Sequence, residues 1–427
     1  MGGPSGEHPP ASTPDRQRVR PTRAVRRPPR LRTLENTNEE RHASARELFF
    51  DLVFVVAIAE LGETLSGHPT ATGFLHFAVV FVPVWWAWVG YTVYADRFDT
   101  DDLIFRLAML TAMLVVVWMA IEIPSAFDNA SGGGHFAGAY AAMRFGLVAL
   151  YLRADHHEPR ARPLTRRYIA GFSAGATLWL ISAFTTSPAR YALWGIAIAI
   201  ELTPPLLSSK VFQRVPLHVS HIPERFAAFT IIALGETVVL VATGMASAHL
   251  RATGTVAAVF GFITAAGLWW AYFDFSNVSS VTGGRLAPQT YTYGHLLIVA
   301  GITATGVGTL LAIRANGATL TTGARWALSG GTGAFLGTIT AIQLVNSRDR
   351  RHAQTAIRLT AISLLVALAS FGAHVAADTL MIAVASVLIT AILVEATIGG
   401  PVPRHLKSSP TPLGRDASGP PRAESKA

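Results

Sequence analysis

The chain has 427 residues, 51% of them hydrophobic and only 14% charged, with a mean hydropathy of +0.38. So apolar a composition excludes an ordinary soluble domain of this size and indicates an all-α, polytopic membrane protein, because a helix needs about 20 apolar residues to cross a hydrocarbon core of about 30 Å. The net charge of +9 lies in the tails and in alternate short loops, which argues against a nucleic-acid partner, and the lack of cysteine excludes disulfides, thiolate catalysis and thiolate-held metals.

Residues 1–45 are polar, rich in Pro and Arg and without the apolar stretch of a signal peptide, and read as a disordered basic tail. Twelve apolar segments follow. Six, at 48–66, 73–94, 104–123, 135–152, 168–186 and 191–208, form a first unit over 46–210. Six more, at 226–248, 255–274, 293–313, 326–345, 357–371 and 379–397, form a second over 211–400, and 401–427 is a further disordered tail. The ninth and tenth segments are rich in Gly and Thr, which suits close helix packing.

The two units share motifs in the same order. Leu61-Gly62-Glu63-Thr64 answers Leu234-Gly235-Glu236-Thr237, with Asp51 and Glu224 each twelve residues before the glutamate. Trp85-Trp86-Ala87-Trp88 answers Trp269-Trp270-Ala271-Tyr272, and Ile200-Glu201-Leu202-Thr203 answers Val394-Glu395-Ala396-Thr397. The offset grows from 173 to 184 to 194 residues, as loop insertions would produce, and six helices per unit make the repeats parallel.

Orientation follows from the loops. Arg153, Arg160, Arg162, Arg166 and Arg167, then Lys210, Arg214 and Arg225, then Arg348, Arg350, Arg351 and Arg358 fall on one side, against Arg190, Arg251, Arg314 and Arg325 on the other. The positive-inside rule then puts both termini in the cytoplasm of a multi-pass plasma-membrane protein.

Carboxylates inside apolar helices are costly and mark function by default. Asp51 and Glu63, and likewise Glu224 and Glu236, lie about 18 Å apart along a helix and about 120° apart around it, so either the helix bends at Gly62 and Gly235 or each acid meets a different partner. The functional reading makes Asp51, Glu63, Glu224 and Glu236 a transport pathway, with Glu63 and Glu236 as buried, protonatable or cation-binding sites. The structural reading neutralises them with Arg106, Arg144, His76 or His295. After the second segment, Asp99, Asp101 and Asp102 form a possible cation-binding cluster, although aspartates at a helix start also serve as N-caps. His218, His221 and Glu224 are spaced by three, but Pro223 interrupts the helical geometry that a metal site would need. The Trp-rich run suits packing or lipid anchoring. No catalytic residue and no cofactor is assigned, and the metal and the oligomeric state stay open.

Taken together, Glu47-Leu48-Phe49-Phe50-Asp51-Leu52-Val53-Phe54, Arg97-Phe98-Asp99-Thr100-Asp101-Asp102, Ile123-Pro124 with Ala126-Phe127, and Glu224-Arg225-Phe226 followed by Ile231 to Glu236 resemble the bacterial low temperature requirement A (LtrA) family over about residues 44 to 400. The resemblance implies a bacterial integral membrane protein and supplies no activity. A fainter similarity links Phe49-Phe50-Asp51 with Val53-Phe54 to the Phe-Ser-Asp motif of potassium channels built from six-helix units; Phe50 in place of Ser and the bulky Leu52 speak against K⁺ conduction. The acids and repeats point to a proton- or cation-linked transporter or channel, with membrane lipids and an unidentified ion or small solute as partners. The alternatives are a membrane enzyme acting on a lipid or isoprenoid with a divalent cation, and a non-catalytic membrane-stress protein.

Overall fold

The computed structural model describes residues 28–31, 44–128, 132–207, 221–247, 252–276, 287–346 and 352–398. The first half holds α1 (Ala45–Gly67), α2 (Ala71–Arg97), α3 (Leu103–Ile121), α4 (Gly132–His157), α5 (Arg162–Ala183) and α6 (Ala189–Leu207). The second holds α7 (His221–Ser247), α8 (Ala252–Ser276), α9 (Ala287–Ala315), α10, α11 (His352–Phe371) and α12 (Ala377–Ile398). Helix α10 is composite: Thr322–Arg325 continues through a π turn at Trp326–Gly330 into Gly331–Asn346. Each of the twelve predicted segments corresponds to one of these helices.

Local sequence sets the helix starts. Ser44 and Glu47 form a capping box on α1, and the Thr70 and Asp102 side chains accept from the backbone N–H groups of Gly73 and Phe105 to open α2 and α3. Asp102 is therefore the N-cap that its position before an apolar run suggests. Among the described residues eight helices, α2, α3 and α7 to α12, are long and apolar enough to cross a membrane. The remaining four run 23, 26, 22 and 19 residues, but α1 alone carries Arg46, Glu47, Asp51, Glu60 and Glu63.

Helix direction alternates, so the starts of the odd-numbered helices and the ends of the even-numbered ones share one end of the bundle, here called the near end. There residues 30 and 31, within the stretch expected to be disordered, are placed in a strand. Arg30–Leu31 forms a strand, β1, paired antiparallel with Phe98–Asp99, β2, and the Leu31 N–H points to Glu158 Oε2 at 3.4 Å. This short strap ties the α2–α3 connection to the α4–α5 connection.

Within the first half α1 packs on α2 and α3, α3 on α4, α4 on α2 and α5, and α5 on α6. In the second, α7 packs on α8 and α9, α9 on α10, α10 on α8 and α11, and α11 on α12, while α8 also packs on α9 and extensively on α12, contacts that the first half does not repeat. The halves meet where α1 and α2 lie against α7 and α9. The close approach expected of the ninth and tenth segments is present: a Cβ at Gly308 would stand 2.3 Å from the Leu328 backbone nitrogen, and one at Gly301 2.8 Å from the Gly331 carbonyl. Threonines line this contact with their hydroxyls satisfied, because they back-bond within their own helices, as Thr305 does to Gly301 O at 2.8 Å.

Candidate functional site

The seam between the halves is built from three helical stripes at i, i+4 spacing, which places each set on one face. Helix α1 contributes Glu47 and Asp51, α2 contributes Trp88, Thr92 and Asp96, and α7 contributes His221 and Arg225. All seven are buried.

Arg225 grips Asp51 as a fork, Nε to Oδ2 at 2.9 Å and Nη2 to Oδ1 at 2.5 Å, while Nη1 lies 3.4 Å from Glu47 Oε1. The Trp88 indole N–H donates to Asp51 Oδ1 at 2.7 Å, and Thr92 Oγ1 is 3.5 Å from Arg225 Nη2. His221 stands between two acids, Nδ1 3.0 Å from Asp96 Oδ1 and Nε2 3.7 Å from Glu47 Oε2. Glu47 is fixed in turn by the Ser44 N–H and hydroxyl at 2.9 and 2.8 Å. Such a cluster is costly to bury and survives only when most of its hydrogen bonds are made, so it joins the halves firmly while its pairing lasts.

Aromatic side chains cover the cluster on the side away from the near end. Phe229 of α7 packs on Trp88 at 4.4 Å, on Trp85 at 5.4 Å and on Phe54 of α1 at 6.2 Å between ring centroids. Beyond them the seam narrows: a Cβ on Gly62 would lie 4.0 Å from Leu240 Cδ1. Glu236 borders this stretch. Eleven residues put it about 16 Å beyond Arg225 along α7 and only about 20° round the axis, on the flank that faces α1. It is half-buried, and no basic side chain among the described residues reaches it.

The four predicted pathway acids therefore do not share one environment. Asp51 is buried in the cluster, Glu224 is half-buried beside Arg225, and Glu236 is half-buried on the seam. Glu63 departs from its expected burial: it is exposed, while Leu61, Gly62 and Leu65 around it are buried, which sets its carboxylate on the side of α1 away from the core. Both helices run unbroken through their glycines, so the acids are separated by azimuth, each with its own surroundings.

The suggested neutralising partners are engaged elsewhere. Arg144 pairs with Glu201 at 2.7 Å, with the Tyr140 hydroxyl donating to Glu201 at 2.8 Å, all fully buried. Arg106 pairs with Asp101, His76 stacks on Phe127 at 3.7 Å, and His295 bonds Tyr272 and the Tyr291 carbonyl at 3.0 and 2.7 Å. The repeated acid Glu395 also meets an arginine, Arg358, through two 2.7 Å bonds.

Among the described residues no group of three His, Asp or Glu side chains converges as a metal site. Asp101 is held by Arg106 and Arg46, whose hydrogen bonds bring its carboxyl down to about 2. Asp102 caps α3 and bonds Arg153. Asp99 pairs its backbone with Arg30, and His218 lies outside the described residues.

Arg225 and Arg358 counted as loop charges in the sequence, yet both lie inside helices and are buried in ion pairs; Lys210, Arg214, Arg348, Arg350 and Arg351 lie outside the described residues. On the opposite side Arg190 and Arg325 are buried too, donating to the Thr185, Leu320 and Ala369 carbonyls. The seam arginine and Asp96 escaped the sequence reading as site residues, and His221 entered it only in the metal-like spacing with His218 and Glu224. The paired i, i+4 spacings of Glu47 with Asp51, Thr92 with Asp96 and His221 with Arg225 were the signal that could have found them.

A family model for the bacterial low temperature requirement A protein (LtrA) matches residues 42–394. The chain is also similar to an uncharacterized protein of Rhizobium meliloti (strain 1021), 35% identical over 294 residues that cover 64% of this chain and 70% of the relative.

Proposed function

This chain belongs to the bacterial low temperature requirement A family of multi-pass membrane proteins, and from that premise we propose that it is a proton-linked transporter. Its pathway runs along the α1–α7 seam between two parallel six-helix repeats, with the near end and both termini in the cytoplasm. The Leu-Gly-Glu-Thr motif shared by α1 and α7 supports the repeats, and the arginines at the α4–α5 turn support the orientation.

The observation that carries the reading is the position of Glu236. It stands on the same α7 flank as Arg225, on the outer side of the aromatic layer, with no compensating cation among the described residues. A carboxylate in apolar surroundings without a counter-ion takes up a proton or draws a cation, which is the property a coupling site needs. The Asp51–Arg225 fork closes the cytoplasmic end of the seam. Separating it lets the halves rock and exposes Glu236 to the other side, as alternating access requires. Glu224 lines the cytoplasmic mouth, and Glu63 stands off the pathway.

Proton flux into liposomes tests this. Glu236→Gln abolishes pH-gradient-driven flux and Glu63→Gln preserves it. Wild-type flux from folded Glu236→Gln protein would overturn the reading.

A further inference from the structure

The turn between α4 and α5 sorts its charges by direction. Its acids turn inward: Asp155, half-buried, accepts from the Thr165 hydroxyl at 2.6 Å, and Glu158, also half-buried, faces the backbone N–H groups of Leu31 in the strap and of Arg160, each at 3.4 Å. Two arginines follow them in. Arg153 bonds Asp102 at the start of α3, and Arg162 Nε donates to the Asp155 carbonyl at 3.1 Å. Outward stand Arg160, Arg166 and Arg167 with His156 and His157, all exposed. The Arg166 side chain is 70% exposed and 3.7 Å from Asp155, a contact that leaves most of its charge to the surroundings. Ala161 holds the N-cap of α5 and offers no side-chain acceptor, so the positive end of that helix adds to the same field.

This positive surface tops two faces that carry no protein neighbour. On α4 the exposed residues Ala149, Leu152 and His156 lie on one side at helical spacing, and on α5 so do Arg166, Ala170 and Ala174. The two helices pack on each other, and in each stripe the basic residue comes at the near end with apolar residues beyond it. A soluble anion matches only the basic part of this surface. An anionic phospholipid matches both parts.

We propose that the α4–α5 turn is a binding site for an anionic phospholipid, with Arg160 and Arg166 at its phosphate and the exposed stripes of α4 and α5 along its acyl chains. The site requires that α4 and α5 lie in the bilayer and is independent of what the seam carries. Native mass spectrometry of the full-length protein in a neutral detergent, mixed with phosphatidylglycerol or with phosphatidylcholine of the same chains, counts the bound lipid directly. Phosphatidylglycerol is preferred, and Arg166→Gln lowers that preference about fivefold, the usual worth of one arginine at an anionic surface. Adding Arg160→Gln lowers it further. Arg314→Gln removes an exposed arginine at the opposite end and leaves the preference unchanged. Melting temperatures in phosphatidylcholine stay at the wild-type value in all three variants, which separates lost binding from lost fold. Equal binding of the two lipids, or equal losses in Arg166→Gln and Arg314→Gln, overturns the proposal. So does displacement of phosphatidylglycerol by inorganic phosphate, which would make the turn a site for soluble anions.

Discussion

Helices α1 and α7 carry the same motif and put it to different use. In each, an acid precedes the Leu-Gly-Glu-Thr tetrapeptide by the same twelve residues, yet Asp51 is fully buried and Glu224 half-buried, while Glu63 is exposed and Glu236 half-buried. The helices present different azimuths to the seam. Helix α1 turns Asp51, Phe54 and Gly62 toward its neighbours, whereas α7 turns Arg225, Phe229, Glu236 and Leu240 toward α1. The tetrapeptide is the same in both helices, and packing decides what each copy's acid meets.

The widest separation between the copies lies in their first acids. Asp51→Ala leaves Arg225 buried with most of its hydrogen bonds unmade and costs about 3–5 kcal/mol, the usual penalty for breaking a buried pair. Glu224→Ala costs less, because the side chain it removes is only half-buried. Thermal melts in detergent compare them, and equal losses would erase the distinction between the two helices. A smaller contrast concerns the glycines. A Cβ at Gly235 meets nothing within 4 Å, so Gly235→Ala stabilises by up to about 1 kcal/mol through helix propensity. At Gly62 the added Cβ comes within 3.6 Å of Val307 and 3.8 Å of Thr303, ordinary contact distances, so Gly62→Ala yields a smaller gain that depends on how the α1–α9 contact adjusts. Melting temperatures that rise equally would show that the seam is looser than its contacts.

Much of the fold was legible because hydropathy acts locally: the apolar helices announce themselves by their own runs, and Asp102 declared a helix start. The packing of α9 on α10 could be read from their Gly and Thr content for the same reason. The site was harder to see because its charges come from three segments far apart in the chain. Asp51 and Arg225 are separated by 174 residues, and hydropathy gives no hint that a positive residue beside a loop turns inward to an acid. Glu63 misled for the converse reason. An acid in an apolar helix is conspicuous in sequence, but only the azimuth set by neighbouring helices shows that it faces away from the core. Arg190 and Arg325 likewise read as loop charges until their bonds to backbone carbonyls place them inside.

The account stands on the claim that the two halves separate along the α1–α7 seam during function. Phe54 and Phe229 face each other across it at 6.2 Å between ring centroids, and in a chain without cysteine they can be replaced as a pair and joined by a short cleavable thiol linker. Flux in liposomes is then measured before and after cleavage. The account predicts that the linked protein is inactive and that cleavage restores flux to the level of the unlinked variant. Undiminished flux from quantitatively linked protein would contradict it.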